Sequence, residues 1–305
     1  MFRPKAIIDG RYEVRELLGG GTSGEVYRVI DRETRTQRAL KIQRPRFLEG
    51  TTWYRENFVE LHNEISVGEQ LSGVAGLLRA VAGGDHDGRA YYVMPDVDGR
   101  DLVDFTDCEG AVSSVRTAAI MSQLCHIVAE VHAMGWIHRD IKLENVLIGS
   151  DGRIWLIDLG SAVRPYSNLA PAGTPGYTAP EVVLGAQAST VSDVFSLGCV
   201  LFKLAIMTLP RLNDTGRRPT PIPPFHEDLQ PALKVLDPTL RAVGMRMIAW
   251  DPGDRPQHVA DVIGELERLL PGPDAPPRPR RGPDPVLRCW LARYRDEPRP
   301  WPATP

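Results

Sequence analysis

The spacing of hydrophobic and polar residues changes partway along this chain. In roughly the first hundred residues, short apolar stretches alternate with turn-rich ones, and a single helical period interrupts them. The strand-like stretches are 12–14, 26–31, 38–43, 77–82 and 90–94; the helical one is 56–71 and a turn covers 83–88. We therefore expect an antiparallel sheet of about five strands with one helix.

Beyond Gly99 the period is mostly helical. Helices are predicted over 114–134, from 194 onward, over 240–249 and over 259–270, with Asp193 capping the second of them. The fold class is therefore α+β. It has a small antiparallel β-sheet lobe with one helix and a larger, mostly helical lobe, and the boundary falls near residues 97–99.

Charge and composition limit the classes of partner. The chain has 305 residues, 42% of them hydrophobic and 25% charged, and its net charge of −3 gives no general attraction for nucleic acid. The longest apolar run, 194–209, is interrupted by Lys203 and is too short for a comfortable membrane span. The start lacks the apolar core of a signal peptide, and four scattered cysteines suit a reducing compartment. We expect a cytoplasmic protein without a membrane span.

One loop contains the side chains that phosphoryl transfer needs. The run from His138 to Asn145 reads H-R-D-I-K-L-E-N, and an apolar stretch then leads to Asp158. In that chemistry one carboxylate takes a hydroxyl proton, while an amide and a second carboxylate hold magnesium against phosphates. We assign Asp140 as the base, Lys142 as the neutralising charge, and Asn145 with Asp158 as the metal ligands. An ordinary surface loop would contain this spacing only rarely.

A glycine-rich turn between the first two strands matches G-x-G-x-x-G-x-V through Gly19, Gly21, Gly24 and Val26. Glycines let backbone N–H groups approach phosphate oxygens closely. Gly-rich hairpins are common, so this motif alone is weak. A dinucleotide-binding site would require a helix after the turn, whereas a strand is predicted here, which disfavours that alternative.

Lys41 follows Ala39 in an apolar strand, where a charge is costly without a partner. The candidate partner is Glu64 in the predicted helix, and Glu60 is the alternative. Gly68, four residues after Glu64, costs a helix about 0.5–1 kcal/mol. Either this helix is mobile or Glu60 is the partner.

Two later segments indicate a structural frame around the loop. The run Gly173–Glu181 reads G-T-P-G-Y-T-A-P-E, and a D-P-G-D-R-P run contains Arg255. We expect Glu181 to pair with Arg255 and Asp193 to anchor the catalytic-loop backbone. Each motif taken alone also fits an ordinary helix cap or loop.

As a set, seven motifs follow the order found in protein kinases over about residues 10–270. The chain resembles a eukaryotic-like Ser/Thr protein kinase of the bacterial Hanks type, with Leu159 where D-F-G has Phe. The resemblance implies the bilobal kinase fold, ATP and Mg²⁺ as cofactors, and transfer of the γ-phosphate to Ser or Thr of a protein substrate, including itself. It also places Thr174 against Asp140 and Lys142 in a substrate platform. The implied ATP-binding residues are Gly19, Gly21, Gly24, Val26, Ala39, Lys41, Met94, Pro95, Val97, Asp101 and Leu147.

The segment from Gly160 to Gly173 is short. Arg139 would clamp a phosphate there, with Ser167 the preferred acceptor and Ser161 the second candidate. A short segment also suits a kinase that needs no such phosphate, and this is the alternative we favour.

The domain limits predicted from the sequence are a lead at 1–10, a kinase domain at 11–270 divided into lobes 11–97 and 98–270, and a tail at 271–305. The tail contains eleven prolines and seven arginines. Its composition is typical of a semi-rigid extension. Within it, residues 276–281 fit a polyproline ligand for a partner, and residues 286–294 fit a short helix that docks on the protein. Two other functions remain open, a nucleotide-binding scaffold without transfer activity and a kinase of small molecules. The second usually lacks the Ala-Pro-Glu segment.

Overall fold

The N-terminal lobe is built on a six-stranded antiparallel sheet. The computed structural model describes residues 1–21, 24–44, 52–167, 173–210, 229–271 and 284–295. The sheet has the order β1-β2-β3-β4-β6-β5. Its strands are β1 (Ile7–Ile8), β2 (Tyr12–Gly21), β3 (Gly24–Asp31), β4 (Gln37–Ile42), β5 (Ala82–His86) and β6 (Arg89–Pro95), and helix α1 (Thr52–Gln70) follows β4.

The alternation of side chains gives this sheet two buried faces. One face packs around Tyr27, Leu40 and Val93 with the aromatic rings of Tyr12 and Tyr91. The opposite face joins the rest of the sheet to α1 and to the helical lobe; its members are Ala39, Leu61, Leu78, Ala80, Ala90, Tyr92, Met94 and Trp155. A sheet covered on both faces explains why β6 is buried along its whole length and is apolar or aromatic after Arg89.

Two local predictions for this lobe were wrong. The predicted strand 77–82 is extended chain that forms only an isolated bridge from Leu77 to Leu156. Strand β5 instead begins at Ala82. The turn predicted at 83–88 consists of only Asp87 and Gly88, both with positive φ. Gly83 and Gly84 misled the prediction. They lie inside β5, where a Cβ would come within 2.7 Å of the Ile65 and Tyr91 side chains.

Residues 1–10, expected as a lead, pack on the sheet. Ile7 and Ile8 pair with Glu13 and Tyr12 in β1–β2. The ring of Phe2 contacts that of Tyr27 with centroids 5.6 Å apart. This segment therefore belongs to the folded N-terminal lobe.

The C-terminal lobe packs around α3 and α5. Its elements are β7 (Gly99–Asp101), α2 (Leu102–Glu109), α3 (Ser114–Ala133), β8 (Val146–Gly149), β9 (Ile154–Leu156), α4 (Pro180–Val183), α5 (Thr190–Ile206), α6 (Leu229–Val235), α7 (Pro238–Met247), α8 (Val259–Glu267) and α9 (Pro285–Arg295). Strands β7, β8 and β9 form a separate three-stranded sheet. Apolar residues at helical spacing converge in one large core cluster, which includes the inner faces of α3 and α5.

The segment between the lobes is fixed on both sides by aspartates. Asp96 accepts hydrogen bonds from Arg28 Nε at 2.7 Å and Gln37 Nε2 at 2.6 Å, both from the N-terminal sheet. Asp98 accepts one from Ser150 Oγ at 2.8 Å, in the turn that connects β8 to β9. The connection is therefore held to each lobe by a separate carboxylate.

Helix α9, within the predicted tail, is packed into the helical lobe. Val286 and Trp290 are 0% and 3% exposed and belong to its core. Asp284 binds Arg116 at 2.9 Å, and Pro285 lies so close to Gly152 that a Cβ there would come within 2.1 Å. The expected docking helix is confirmed, and packing extends past residue 270. The polyproline run 276–281 lies outside the described residues.

In the part of the chain that the structure describes, no helix combines the length and the apolar character needed to cross a membrane.

Candidate functional site

The backbone of the catalytic loop is held by hydrogen bonds to the Asp193 side chain. Its carboxylate accepts hydrogen bonds from His138 N at 2.8 Å and Arg139 N at 2.9 Å, and it lies 2.8 Å from His132 Nε2. Desolvation opposes the charge of this fully buried group, but His132 and the backbone donor lower the pKa of Asp193. The predicted anchoring contact is confirmed.

Asp193 does not cap its helix. Helix α5 begins at Thr190, four residues before the predicted start, and Ser189 and Ser192 form its capping box. This places Asp193 in the first turn, with its carboxylate directed at the catalytic loop.

Asp140, the predicted base, lies among donors. Thr174 Oγ1 donates to Asp140 Oδ1 at 2.7 Å, and Asn145 Nδ2 donates to Asp140 Oδ2 at 2.9 Å. Lys142 Nζ forms an ion pair with Asp140 Oδ2 at 2.8 Å and donates to Thr174 Oγ1 at 2.7 Å. The structure thus brings Asp140, Lys142, Asn145 and Thr174 together as expected. A carboxylate held by three donors is fixed in one orientation.

The two predicted metal ligands are joined through the backbone. Asn145 ends a 3-10 turn (Leu143–Asn145), and its carbonyl oxygen accepts a hydrogen bond from Ile157 N at 2.9 Å. Because Asp158 follows Ile157, this bond brings the two residues close together in the fold. The Asn145 N–H₂ group is directed at Asp140, so its amide oxygen is the atom available to a cation. One amide oxygen and one carboxylate suit Mg²⁺, which binds few protein ligands and keeps several waters.

Lys41 pairs with Asp158 instead of the expected Glu64. Its Nζ lies 3.1 Å from Asp158 Oδ2, and the residues described contain no ion pair within 4.0 Å between Lys41 and Glu64. Desolvation lowers the pKa of Lys41, but the charges of Asp158, Tyr92 and Glu64 outweigh it and raise that pKa overall. Glu64 is nevertheless at the site, because the charges of Lys41 and Asp158 both act on it.

Glu64 is a buried acid with an altered pKa. It is 1% exposed, and desolvation followed by the charge of Asp158 raises its pKa to about 8. Lys41 and the N–H groups of Leu159 and Gly160 act in the opposite direction. Desolvation also opposes the charge of Asp158, but Lys41 lowers the pKa of that carboxyl overall. At neutral pH the charged pair is Lys41 with Asp158.

Five of the predicted ATP-binding residues belong to or pack against one apolar cluster that joins the sheet to the helical lobe. Ala39, Met94 and Trp155 form part of its buried core, and Val26, Val97 and Leu147 pack against it. Asp101 is the N-cap residue of α2, and its carboxylate accepts a hydrogen bond from Asp104 N at 2.8 Å. Pro95 ends β6 and Val97 follows two positions later, so the Pro95 carbonyl and the Val97 N–H both lie on the connection between the lobes.

The glycine-rich turn is the tip of a β-hairpin. Gly19 pairs with Val26 and Gly21 with Gly24, so both strands continue almost to the turn; residues 22 and 23 are outside the described part. Gly24 has φ of +153°, and a Cβ there would lie 2.6 Å from Ile42 O. Another residue type at this position would force the tip away from β4.

Glu181 and Arg255 form the expected pair. Two hydrogen bonds, of 2.9 and 2.7 Å, join the guanidinium to the carboxylate, and three backbone carbonyls, of Val191, Ala249 and Trp250, accept the remaining donors. Arg255 is 3% exposed. Because both charges are fully hydrogen-bonded, this pair fixes α4 against α5 and the segment after α7.

The segment after Asp158 is tied to its surroundings by other polar side chains. Arg139 Nε donates to Ser161 O at 2.6 Å, and desolvation lowers the pKa of Arg139. Arg164 Nη1 donates to Met134 O at 2.8 Å, and its guanidinium lies 4.5 Å from the Trp136 ring centroid. Ser161 and Ser167, the candidate phosphorylation sites, lie within or next to this ordered stretch, whereas residues 168–172 are outside the described range.

Three residues at the site escaped the sequence analysis. Asn63 Nδ2 donates to three carbonyls of the segment after Asp158, His132 contacts Asp193, and Arg164 connects that segment to the end of α3. His132 and Arg164 lie outside the motifs. Asn63 precedes Glu64 directly, so its place on the helix was the one available signal.

Comparison with known proteins agrees with this geometry. Residues 12–260 match the family described as protein kinase domain. The chain belongs to the protein kinase family. Kinase domains of this family generally use ATP and Mg²⁺, and the resemblance to Ser/Thr protein kinases of the bacterial type is confirmed by the relatives.

Those relatives are bacterial. The kinase domain is 27% identical to serine/threonine-protein kinase PknD of Chlamydia trachomatis, over 86% of this chain and 32% of the relative. It is 30% identical to PknB of Mycolicibacterium smegmatis, over 90% and 46%, and 30% identical to a probable serine/threonine-protein kinase of Corynebacterium efficiens, over 86% and 42%. The chain thus spans a third to a half of the length of these relatives.

Proposed function

We propose that this kinase domain is catalytically active and transfers the γ-phosphate of ATP to Ser or Thr hydroxyls of proteins, itself included. The observation that supports this most is the contact set around Asp140. The Asp140 carboxylate is held by Thr174, Asn145 and Lys142, and the backbone of Asn145 is bonded to the residue before Asp158. A scaffold without transfer activity would have no use for a base, a neutralising lysine and two cation ligands in one place.

In the proposed reaction Asp140 orients the acceptor hydroxyl and takes its proton as the new P–O bond forms. Lys142 sits beside that oxygen and offsets the negative charge of the transferring group. Lys41 holds Asp158 in place and presents its own positive charge to the phosphates. Asn145 and Asp158 are the residues that would hold Mg²⁺, which supplies positive charge against the triphosphate.

For ATP itself, we propose that the cluster around Ala39 and Met94 encloses the adenine. The Pro95 carbonyl and the Val97 N–H would pair with its edge, and Leu147 would close the pocket from the helical lobe. Gly19, Gly21, Gly24 and Val26 would lie over the phosphates, and Asp101 would lie near the sugar. The burial of Ala39 and Met94 in one cluster with Val97 and Leu147 at its margin supports this.

We propose that the kinase unit comprises the two lobes 11–97 and 98–270 with residues 1–10 and α9 packed on them. We further propose that it works in the cytoplasm and that the Pro/Arg-rich segments of 271–305 contact a partner. The engagement of Arg139 by Ser161 O supports activity without a phosphate in the segment. Ser167 remains the proposed acceptor if self-phosphorylation occurs there, with Ser161 second.

The test is to incubate the purified protein with Mg-ATP and a mixed Ser, Thr and Tyr substrate, and to map phosphorylated residues by mass spectrometry. We expect phosphoserine or phosphothreonine with the wild type and none with Asp158→Asn or Lys41→Met, both of which should still fold although each loses one partner of a buried ion pair. Full activity in Asp158→Asn would refute the assignment. ATP binding without transfer would support a scaffold, and transfer to aminoglycosides but never to protein would support a small-molecule kinase.

A further inference from the structure

Asn63 makes an unusual set of contacts for a residue on a helix side. Its Nδ2 donates to Gly160 O at 2.8 Å and to Ala162 O at 2.9 Å, and it lies 3.5 Å from Leu159 O. All three carbonyls belong to the stretch that directly follows Asp158.

The next residue on the helix, Glu64, is buried at the same place. The N–H groups of Leu159 and Gly160 lower the pKa of Glu64 against the effect of burial, so this acid faces the same stretch. The hydrogen bonds from α1 to the stretch come from Asn63. They fix the position of the peptide groups after Asp158.

This grip matters because Asp158 is held in an unfavourable backbone conformation. Its φ is 68°, in the left-handed region that non-glycine residues seldom adopt. Such a conformation persists only where the surroundings hold it. Lys41 binds the side chain of Asp158, whereas Asn63 binds the backbone that follows it.

Apolar packing places the helix close enough for these bonds. Val67 and Leu71, both fully buried, insert into the core of the helical lobe together with Leu159. Gly68 allows the helix to approach the chain at Arg79, where a Cβ would meet the Arg79 Cβ at 3.3 Å. The glycine therefore favours close packing here, and Val67 and Leu71 supply the apolar link to the core.

We propose that Asn63 is a positioning residue that holds Asp158 in its cation-binding orientation by gripping the carbonyls after it. The inference rests on the proposed function for its kinetic consequences, but the grip itself exists in the protein without nucleotide. Asn63 does not contact the reacting atoms. Its loss should therefore act through Asp158.

The test compares Asn63→Ala and the isosteric Asn63→Asp with the control Glu69→Gln, an exposed residue of the same helix. Loss of a residue that supports a metal ligand typically costs 10–100-fold in activity or metal affinity. We expect kcat to fall about 10–100-fold and the Mg²⁺ concentration for half-maximal rate to rise in both Asn63 variants, with KM for the protein substrate unchanged. The Asp variant should lose at least as much as Ala, because its carboxylate faces carbonyl oxygens.

A second measurement uses no nucleotide. Hydrogen exchange followed by mass spectrometry should show faster exchange in the peptide covering 157–164 for both Asn63 variants and unchanged exchange for Glu69→Gln, at matched melting temperature. Unchanged exchange, or an Asn63→Asp protein with wild-type kcat, would overturn the proposal. If the wild type has no transfer activity but exchange still accelerates in the variants, the positioning role stands and the proposed function fails.

Discussion

Two residues at the catalytic centre, Arg139 and Asp158, adopt the left-handed backbone conformation, each with φ of 68°. Such a conformation costs roughly 1–3 kcal/mol for a non-glycine residue. Asp193 offsets this strain at Arg139 through the backbone N–H, and Lys41 holds the Asp158 side chain. Stored strain at both positions fits a site in which the direction of a few side chains decides the chemistry.

Residue types and spacing in the sequence identified the residues of the catalytic loop, but they did not identify the partner of Lys41. Asp140, Lys142 and Asn145 lie within one turn of chain, so local spacing already implies contact. Lys41 and Asp158 are 117 residues apart, and two acids compete for the lysine. Which acid lies closer depends on how α1 packs, and spacing along the chain does not contain that information.

The pKa of Glu64 gives a prediction for stability against pH. Because its folded-state pKa of about 8 lies above the ordinary value of 4.5, the folded protein binds this proton more tightly than the unfolded chain. The stability that Glu64 contributes is therefore complete below about pH 4.5 and is lost as the pH rises toward 8. Glu64→Gln keeps a neutral side chain and should escape this loss.

Denaturant unfolding of both proteins at pH 5 and pH 8 measures the effect. The free energy of unfolding of the wild type, relative to Glu64→Gln, should be lower at pH 8 than at pH 5 by more than about 1.4 kcal/mol, the equivalent of one pKa unit. A difference that stays constant across this range would show that Glu64 has an ordinary pKa.

At the scale of elements, helix α5 supports the catalytic loop. Its first turn contributes Asp193, and the Ser196 hydroxyl further along donates to Tyr177 O at 2.8 Å in the substrate platform segment. The helix is buried nearly throughout, so it forms a rigid support for both segments. Sequence periodicity identified this helix but placed its start at 194, because Ser189 and Ser192 were not recognised as its capping box.

The contribution of Asp193 to stability can be measured with Asp193→Ala. The substitution leaves the N–H groups of His138 and Arg139 buried without their acceptor, and breaking a buried charged network typically costs 3–5 kcal/mol. We expect a loss of about that size in denaturant unfolding. Asp193→Asn should cost less because it keeps an oxygen acceptor.

Asp254→Ala, which removes an exposed carboxylate from the short turn Pro252–Asp254, serves as the control and should change stability little. Equal effects of Asp193→Ala and Asp254→Ala would mean that α5 does not support the catalytic loop.

At the scale of the whole molecule, the change from a short-stranded to a helical period was enough to predict two lobes and their boundary. Helix α9 was expected only as an optional docking element, because eleven prolines dominated the composition of the last 35 residues. Its place in the core depends on surfaces that come from distant parts of the chain, namely Gly152 and Arg116. Sequence pattern within the tail does not reveal those surfaces.

The packing of α9 predicts that Trp290 contributes to global stability. Trp290→Ala removes a large side chain that is 3% exposed, and such truncations typically cost 3–5 kcal/mol. We expect a loss of about that size, measured by denaturant unfolding, whereas Arg288→Ala on the exposed side of the same helix should be nearly neutral. If both variants unfold like the wild type, α9 is not part of the cooperative unit.

The central claim is that Asp140 serves as the base at a nucleotide site between the lobes. The most direct test is the rate of phosphate transfer to a protein substrate at saturating Mg-ATP, compared between the wild type and Asp140→Asn. The isosteric amide keeps an oxygen for the Thr174 hydroxyl but cannot take a proton, so we predict a fall in rate of at least about 100-fold with ATP affinity nearly unchanged. A variant that transfers phosphate at the wild-type rate would contradict the account.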